Sequence, residues 1–118
     1  MNVKYDLVAR VEKFGKTVII FAKTIPKNTI NLPLISQFIR AGTSVGANYC
    51  EADNTESRKD YIHKVGIAKK EACETTYWLK MIVTAEPKLR ENALKIYQEA
   101  KELNLIMNAI VIKASTKT

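Results

Sequence analysis

The stretch LRENALKIYQEAKELNLIMNAIVIKA, residues 89–114, decides the fold class of this protein. Its apolar residues recur at steps of four and three, the spacing that places side chains along one face of an α-helix. The spacing holds at eight successive positions: Leu89, Ala93, Ile96, Ala100, Leu103, Met107, Ile110 and Ala114. A pattern sustained over about seven turns predicts one long amphipathic helix, with Pro87 at its first position.

Three further stripes with the same spacing precede this helix. Their members are Leu7, Val11, Phe14, Val18 and Phe21; then Leu34, Phe38, Ala41, Val45, Asn48 and Ala52; then Tyr61, Val65, Ala68, Ala72, Thr75, Leu79 and Ile82. Short segments rich in turn-forming residues, at 23–32 and 53–56, separate the stripes. We therefore predict an all-α fold, an antiparallel up-down-up-down four-helix bundle that forms a single domain over residues 1–118.

Polar residues at the breaks predict where two of the helices begin. Asn31 is the predicted N-cap of the second helix, with Pro33 at an early position where proline is tolerated. Ser57 is the predicted N-cap of the third helix, with Asp60 three residues later, and Thr55 is the alternative. Within the second helix, Gly42 and Gly46 predict a close approach of another backbone, because mid-helix glycines otherwise only weaken a helix.

The composition excludes several classes of protein. The 118 residues include 19 Lys and Arg against 12 Asp and Glu, a net charge of +7, and only two cysteines. Two cysteines cannot build a disulfide framework, and no apolar run approaches the roughly 18 residues of a membrane span. The first residues also lack the apolar stretch of a signal peptide. We expect a cytoplasmic protein with no membrane partner.

Catalytic and metal-binding patterns are absent from the sequence. His63 is the single histidine, and Asp60-x-x-His63 is the single acid-x-x-His pair, whereas a di-iron bundle needs two. Cys50 and Cys73 lack the spacing of a zinc site, and we expect them to be small buried side chains. Residues 42–46 lack the lysine of a phosphate-binding loop. The sequence predicts no enzymatic activity, no catalytic residues, no metal and no cofactor.

A polar stripe on the second helix faces the third. Its members are Arg40, Ser44, Asn48 and Glu51, and the antiparallel third helix brings Glu71 and Glu74 opposite them. We predict a partly buried ion pair of Arg40 with Glu74 or Glu71, and bonds from Ser44 and Asn48 across the same seam. The alternative interpretation, a catalytic carboxylate pair, has no nucleophile or base beside it. A structural polar seam of this kind fixes helix register more than it adds stability.

Positive charge is concentrated at the start of the chain. Residues 1–30 hold six basic and two acidic side chains, more than half of the net charge. The candidate nucleic-acid-binding residues are Arg10, Lys13, Lys16, Lys23 and Lys27. A basic stripe of this kind suits contacts to a phosphate backbone. The alternative is a solvated lysine face that keeps the protein soluble.

The first and fourth helices carry more apolar residues than one core needs. The candidate oligomer-interface residues are Ile19, Ile20, Leu94, Tyr97, Ile106, Val111 and Ile112. A helix that is apolar on several sides is usually covered, which favours a homo-oligomer. The alternative is a wide core face with scattered exposed residues, which is normal for a monomer.

Two runs of residues in the second and third helices resemble those of a known family. They are Arg40-x3-Ser44-Val45-x2-Asn48-x2-Glu51 and Lys70-Glu71-Ala72-x-Glu74. Both resemble the bacterial four-helix-bundle proteins encoded in intervening sequences of 23S rRNA genes. The chain is less closely similar to the accessory variability protein of retroelements, a basic bundle that engages a reverse transcriptase and nucleic acid. The resemblance implies a four-helix bundle and homopentameric rings.

The sequence leaves two functional hypotheses. In the first, a non-enzymatic oligomer binds RNA or DNA through the basic surface of the first helix. In the second, the oligomer is a scaffold that holds another protein and makes no direct contact with nucleic acid. Binding that weakens with salt distinguishes the first hypothesis from the second.

Overall fold

The computed structural model describes the backbone of residues 3–116 and the side chains of residues 6–116. It contains α1 (Val3–Ala22), α2 (Asn31–Asp53), α3 (Arg58–Ala85) and α4 (Arg90–Thr116), and a short 3-10 turn, Pro87–Leu89, leads into α4. No strand occurs within residues 3–116. The predicted all-α, four-helix fold is confirmed. Residues 1, 2, 117 and 118, which the predicted domain includes, lie outside the described range.

Contacts between the helices give an antiparallel order. Gly42 and Gly46 of α2 lie against Val18 and Val11 of α1, so the two helices run in opposite directions. Arg40 and Glu51 of α2 reach residues of α3 in reversed order, Glu71 and Lys64 respectively. Asn104 of α4 donates to the backbone of Lys69 on α3, and Arg10 of α1 reaches Glu99 of α4. The predicted close approach at Gly42 and Gly46 is confirmed, and α1 is the helix that approaches.

The core consists of the predicted stripes, with two differences on α2. The α1 stripe is buried over its whole length, and so are residues 65–82 of the α3 stripe and residues 93–107 of the α4 stripe. On α2, Ile35 and Tyr49 are buried instead of Leu34 and Asn48, which are only half-buried. In both places the buried residue is the next one along the helix and carries a large apolar side chain. The polar amide of Asn48 stays at the edge of the core.

The N-cap of α3 was predicted correctly, but that of α2 was not, although α2 begins at Asn31. Ser57 Oγ accepts a hydrogen bond from the Asp60 amide at 3.0 Å, as expected of an N-cap. At α2 the cap is Asn28, whose Oδ1 accepts from the amides of Ile30 and Asn31 at 3.1 and 2.8 Å. Asn31 is fully buried instead, and its Nδ2 donates to the Pro26 carbonyl and to Glu86 Oε2. The amide thereby ties the α1–α2 loop to the α3–α4 turn.

The helices of residues 3–116 are amphipathic rather than uniformly apolar. None of them combines the length and the apolar character that crossing a bilayer requires.

Candidate functional site

Arg10 is paired with α4 at the edge of the bundle, where its side chain is one-third exposed. Its Nε and Nη2 donate to Glu99 Oε2 and Oε1 at 3.1 and 2.7 Å, a two-point contact, and Nη2 also lies 3.1 Å from Glu102 Oε1. These hydrogen bonds, above all the one to Glu99, outweigh desolvation and raise the pKa of the Arg10 guanidinium. Bidentate pairing makes Arg10 a link between α1 and α4 rather than a free phosphate contact.

Lys16 and Lys27 also have partners within the chain, and Lys23 and Lys27 lie beyond α1 rather than on it as predicted, because the helix ends at Ala22. Lys16 Nζ donates to Glu12 Oε2 at 2.9 Å, one helical turn away, and this bond lowers the pKa of the Glu12 carboxyl. Lys27 Nζ donates to the carbonyls of Ala22, Lys23 and Ile25, at 3.2, 3.3 and 2.9 Å. Lys27 therefore satisfies carbonyls at and just beyond the C-terminal end of α1, where a cation is favoured by the helix dipole.

Lys13 and Lys23 are the members of the predicted set that are exposed and have neither a carboxylate nor a carbonyl partner for their ammonium groups among residues 6–116. Lys13 borders a groove of about 520 Å³ between α1 and α4. The groove is lined by Arg10, Lys13, Phe14, Thr17, Lys95, Ile96 and Glu99. Lys95 was not among the predicted residues, because only the antiparallel packing of α4 on α1 brings it near Lys13.

The polar seam on α2 and α3 centres on Arg40. Its Nη1 donates to both carboxylate oxygens of Glu71 at 3.2 Å, its Nη2 contacts Glu74, and its Nε donates to Gln37 Oε1 at 3.0 Å. Burial lowers the pKa of the Arg40 guanidinium, but attraction to Glu71 and Glu74 outweighs this effect and raises the pKa overall. Trp78 Nε1 donates to Glu74 Oε2 at 3.0 Å and so extends the network along α3.

The predicted cross-seam bonds of Ser44 and Asn48 do not form. Ser44 Oγ donates to the Arg40 carbonyl at 2.6 Å, and Asn48 Nδ2 donates to the Ser44 carbonyl at 2.9 Å, both within α2. Short side chains on a helix reach the carbonyl one turn back more easily than a neighbouring helix. Glu51, the last member of the stripe, does reach across to α3, where Lys64 Nζ donates to it at 2.8 Å.

The seven candidate interface residues do not form one surface. Ile19, Ile20, Leu94 and Ile112 are exposed, whereas Tyr97, Ile106 and Val111 are half-buried against the core. Leu105 is one of the extra apolar residues of the fourth helix but not one of the seven candidates, and it is 65% exposed. It lies eleven residues after Leu94 and seven before Ile112, a spacing that places the three side chains along one stripe of α4.

The structure shows no grouping of side chains suited to metal binding in the part of the chain that it describes. Cys50 and Cys73 are exposed, so the prediction of buried thiols was wrong. Cys50 follows the buried Tyr49 and Cys73 follows the buried Ala72. Each step along an α-helix rotates the next side chain by about 100°, which turns both cysteines outward.

Comparison with known proteins agrees with the fold. The family model of the 23S rRNA-intervening sequence protein matches residues 4–109. A crystal structure of a protein of unknown function from the S23 ribosomal protein family of Bacteroides thetaiotaomicron has a TM-score of 0.81 and 32% identity to this chain, and the match covers 89% of this chain and 97% of that one. No curated protein matches. The chain therefore belongs to the 23S rRNA-intervening sequence protein family.

Proposed function

We propose that this chain is a non-enzymatic, oligomeric helical-bundle protein that binds RNA or DNA through phosphate contacts on the outer surface of α1. The observation that carries the proposal is that Lys13 and Lys23 are exposed and have no carboxylate partner among the described side chains. Lys16 adds to them, because its bond to Glu12 is fully exposed and contributes little stability, so a phosphate can displace it.

The chemistry of this surface favours binding without sequence selection. Lysine is a compact, mobile charge that contacts phosphate but lacks the planar fork used to recognise bases. Arg10, the one arginine of the predicted set, is held by Glu99 and Glu102. The family name refers to 23S rRNA, which makes structured RNA the first probe to test.

Charge reversal with a matched control tests the proposal. The test variant is Lys13→Glu with Lys23→Glu, and the control variant is Lys59→Glu with Lys70→Glu, four exposed lysines in all. Binding of a structured RNA is measured by fluorescence anisotropy at about 50 mM salt and again at about 200 mM. We expect at least a tenfold loss for the test variant, about threefold or less for the control, and binding that falls with salt. Equal losses in both variants, or no binding at the lower salt concentration, would overturn the proposal.

Self-association is the second part of the proposal. Leu7 lies beside Ile106, so Ile112 is at the end of the bundle where α1 begins, whereas Ile20 is near the opposite end. Two different apolar patches at opposite ends suit a head-to-tail contact, the type of contact from which rings are built when the rotation between copies closes. We expect a pentamer, the size that the family resemblance implies.

Light scattering after gel filtration measures the mass of the oligomer directly. We expect five times the 13.3-kDa mass of one chain. Leu105→Gln with Ile112→Gln should lower that mass, while Leu32→Gln, an exposed leucine on α2, should not. A wild-type monomer at micromolar concentration overturns the self-association part and leaves the RNA experiment unaffected.

The alternative function is a protein-interaction scaffold with no nucleic-acid contact. It is favoured by large apolar side chains that stay exposed, among them Ile20 at 66% and Leu105 at 65%. A protein partner that co-purifies with the chain after nuclease treatment supports the scaffold, and one that is lost after nuclease treatment supports nucleic-acid binding.

A further inference from the structure

A second surface lies where α3 ends and α4 begins, and it includes Leu94 and Tyr97, two of the candidate oligomer-interface residues. It is a cleft of about 380 Å³ lined by Leu79, Lys80, Val83, Thr84, Arg90, Ala93, Leu94 and Tyr97. Leu79 and Ala93 are buried and form the floor, while Leu94 is 52% exposed at the edge. A concave apolar surface with a few charged groups at its rim is the usual form of a binding site.

The rim of this cleft is cationic. Lys80 Nζ and Lys101 Nζ lie 5.6 and 5.7 Å from the centroid of the Tyr97 ring, so two ammonium groups share one aromatic ring. Arg90 lines the same cleft. None of these three side chains has a salt bridge to a carboxylate of residues 6–116. Cation–π contact holds the ammonium groups in place but leaves their charge unneutralised.

The absence of acidic partners has a structural cause. Glu71 and Glu74 of α3 are taken up by Arg40 of α2, and Glu99 and Glu102 of α4 are taken up by Arg10 of α1. These four carboxylates face the other two helices rather than the cleft. Glu91 of α4 is exposed and is not among the residues that line the cleft, so the charges of Lys80, Arg90 and Lys101 have no acidic neighbour in its lining.

We propose that this cleft docks an acidic amphipathic helix of a partner protein. Leucine-like side chains of the partner would pack on Val83 and Leu94, and its carboxylates would pair with Lys80, Arg90 and Lys101. An acidic amphipathic helix offers both an apolar face for the floor of the cleft and carboxylates for its rim, as in other cases where a helix binds in a groove. A nucleic-acid strand fits less well, since the floor offers phosphates no donors and the Tyr97 ring is already covered by two lysines.

The test uses the full chain and a synthetic peptide probe. The probe is a fluorescein-labelled helix of about 18 residues with leucines along one face and glutamates beside them, and its control has the same composition with the leucines dispersed around the helix. Anisotropy gives the affinity, and amide chemical shifts of the labelled protein give the location. We expect the amphipathic probe to bind at least about tenfold more tightly than the control peptide, with shifts confined to residues 79–101.

Variants separate this cleft from the α1 surface. Lys80→Glu with Lys101→Glu, and separately Leu94→Gln, should weaken peptide binding about tenfold or more, while Lys59→Glu with Lys70→Glu should not. The Lys13→Glu and Lys23→Glu variant should bind the peptide normally, so loss of RNA binding leaves this proposal intact. Equal binding of both peptides, or chemical-shift changes outside residues 79–101, would overturn the proposal. It would also be overturned if RNA shifted the amide signals of the cleft and the peptide did not bind. A lower oligomeric mass in Leu94→Gln would also overturn it, because the cleft would then be a contact between copies.

Discussion

A β-carbon added at Gly42 would lie 2.6 Å from Cγ2 and 2.7 Å from Cγ1 of Val18. Val18 is fully buried and, being β-branched, has one strongly preferred side-chain rotamer in a helix. It cannot rotate away, so Gly42→Ala would push α1 off α2. We expect this change to lower the free energy of unfolding by about 1–3 kcal/mol, the usual cost of overpacking a core, as measured by urea denaturation.

Gly66 provides the control for that experiment. A β-carbon there would meet nothing within 4 Å, so Gly66→Ala gains helix propensity without a clash. We expect it to raise the free energy of unfolding by roughly 0.5–1 kcal/mol. Combining Gly42→Ala with Val18→Ala should recover part of the loss, because the second change removes the atoms that collide. If Gly42→Ala is as stable as Gly66→Ala, the close contact of α1 and α2 is wrong.

The bidentate contact between Arg10 and Glu99 should couple α1 to α4. A double-mutant cycle with Arg10→Met and Glu99→Gln isolates this interaction from the other effects of each change. We expect a coupling free energy of about 0.5–1 kcal/mol, kept small by solvent because each side chain is one-third exposed, and smaller still in high salt. Arg10→Met alone should leave RNA binding within about twofold of the wild type, since the guanidinium is already occupied. A large loss of RNA binding would return Arg10 to the candidate nucleic-acid interface.

Hydrophobic periodicity predicted the helices because it shows which face of each helix is buried, and this depends only on residues that are close together in the sequence. The same reasoning fails where partners come from distant parts of the sequence. The charges of α1 form a convincing local basic stripe, yet Arg10 is bound by Glu99, 89 positions away. The pairing of Arg40 with Glu71 and Glu74 could be predicted because the turn between α2 and α3 is short and fixes which residues face each other. No comparably short connection relates α1 to α4.

Trp78 should report on the Arg40 network. It is the only tryptophan, and its indole donates to the Glu74 carboxylate that Arg40 also contacts. Arg40→Lys removes the guanidinium fork and should lower the free energy of unfolding by about 0.5–1 kcal/mol. Glu74→Gln should shift the tryptophan emission maximum, whereas Glu91→Gln on the exposed side of α4 should leave it unchanged. An unshifted spectrum in Glu74→Gln would mean that the indole is not bound to this carboxylate.

Asn28 takes the capping role that the sequence assigned to Asn31. The pattern Asn31-x-Pro33 resembles a cap, but the capping bonds come from three residues earlier, and the Asn31 amide donates to the Pro26 carbonyl and to Glu86 instead. Asn28→Ala should lower the free energy of unfolding by about 1 kcal/mol, the value of a lost N-cap. Asn31→Ala should cost more, about 1–3 kcal/mol, because Asn31 is fully buried and its amide makes both of these hydrogen bonds. Equal costs in urea denaturation would contradict this assignment.

The phenol of Tyr49 should make the protein sensitive to alkali. Burial, followed by the influence of Tyr61 and Asp53, raises the pKa of Tyr49 above its ordinary value of about 10. The folded state then holds this proton more tightly than the unfolded state, so the stabilisation is complete below about pH 10 and declines as the pH rises further. Urea midpoints measured from about pH 8 to pH 11 should fall more steeply for the wild type than for Tyr49→Phe, which has no proton to lose. Parallel curves for the two proteins would show that other groups, such as lysines, account for the loss of stability at alkaline pH.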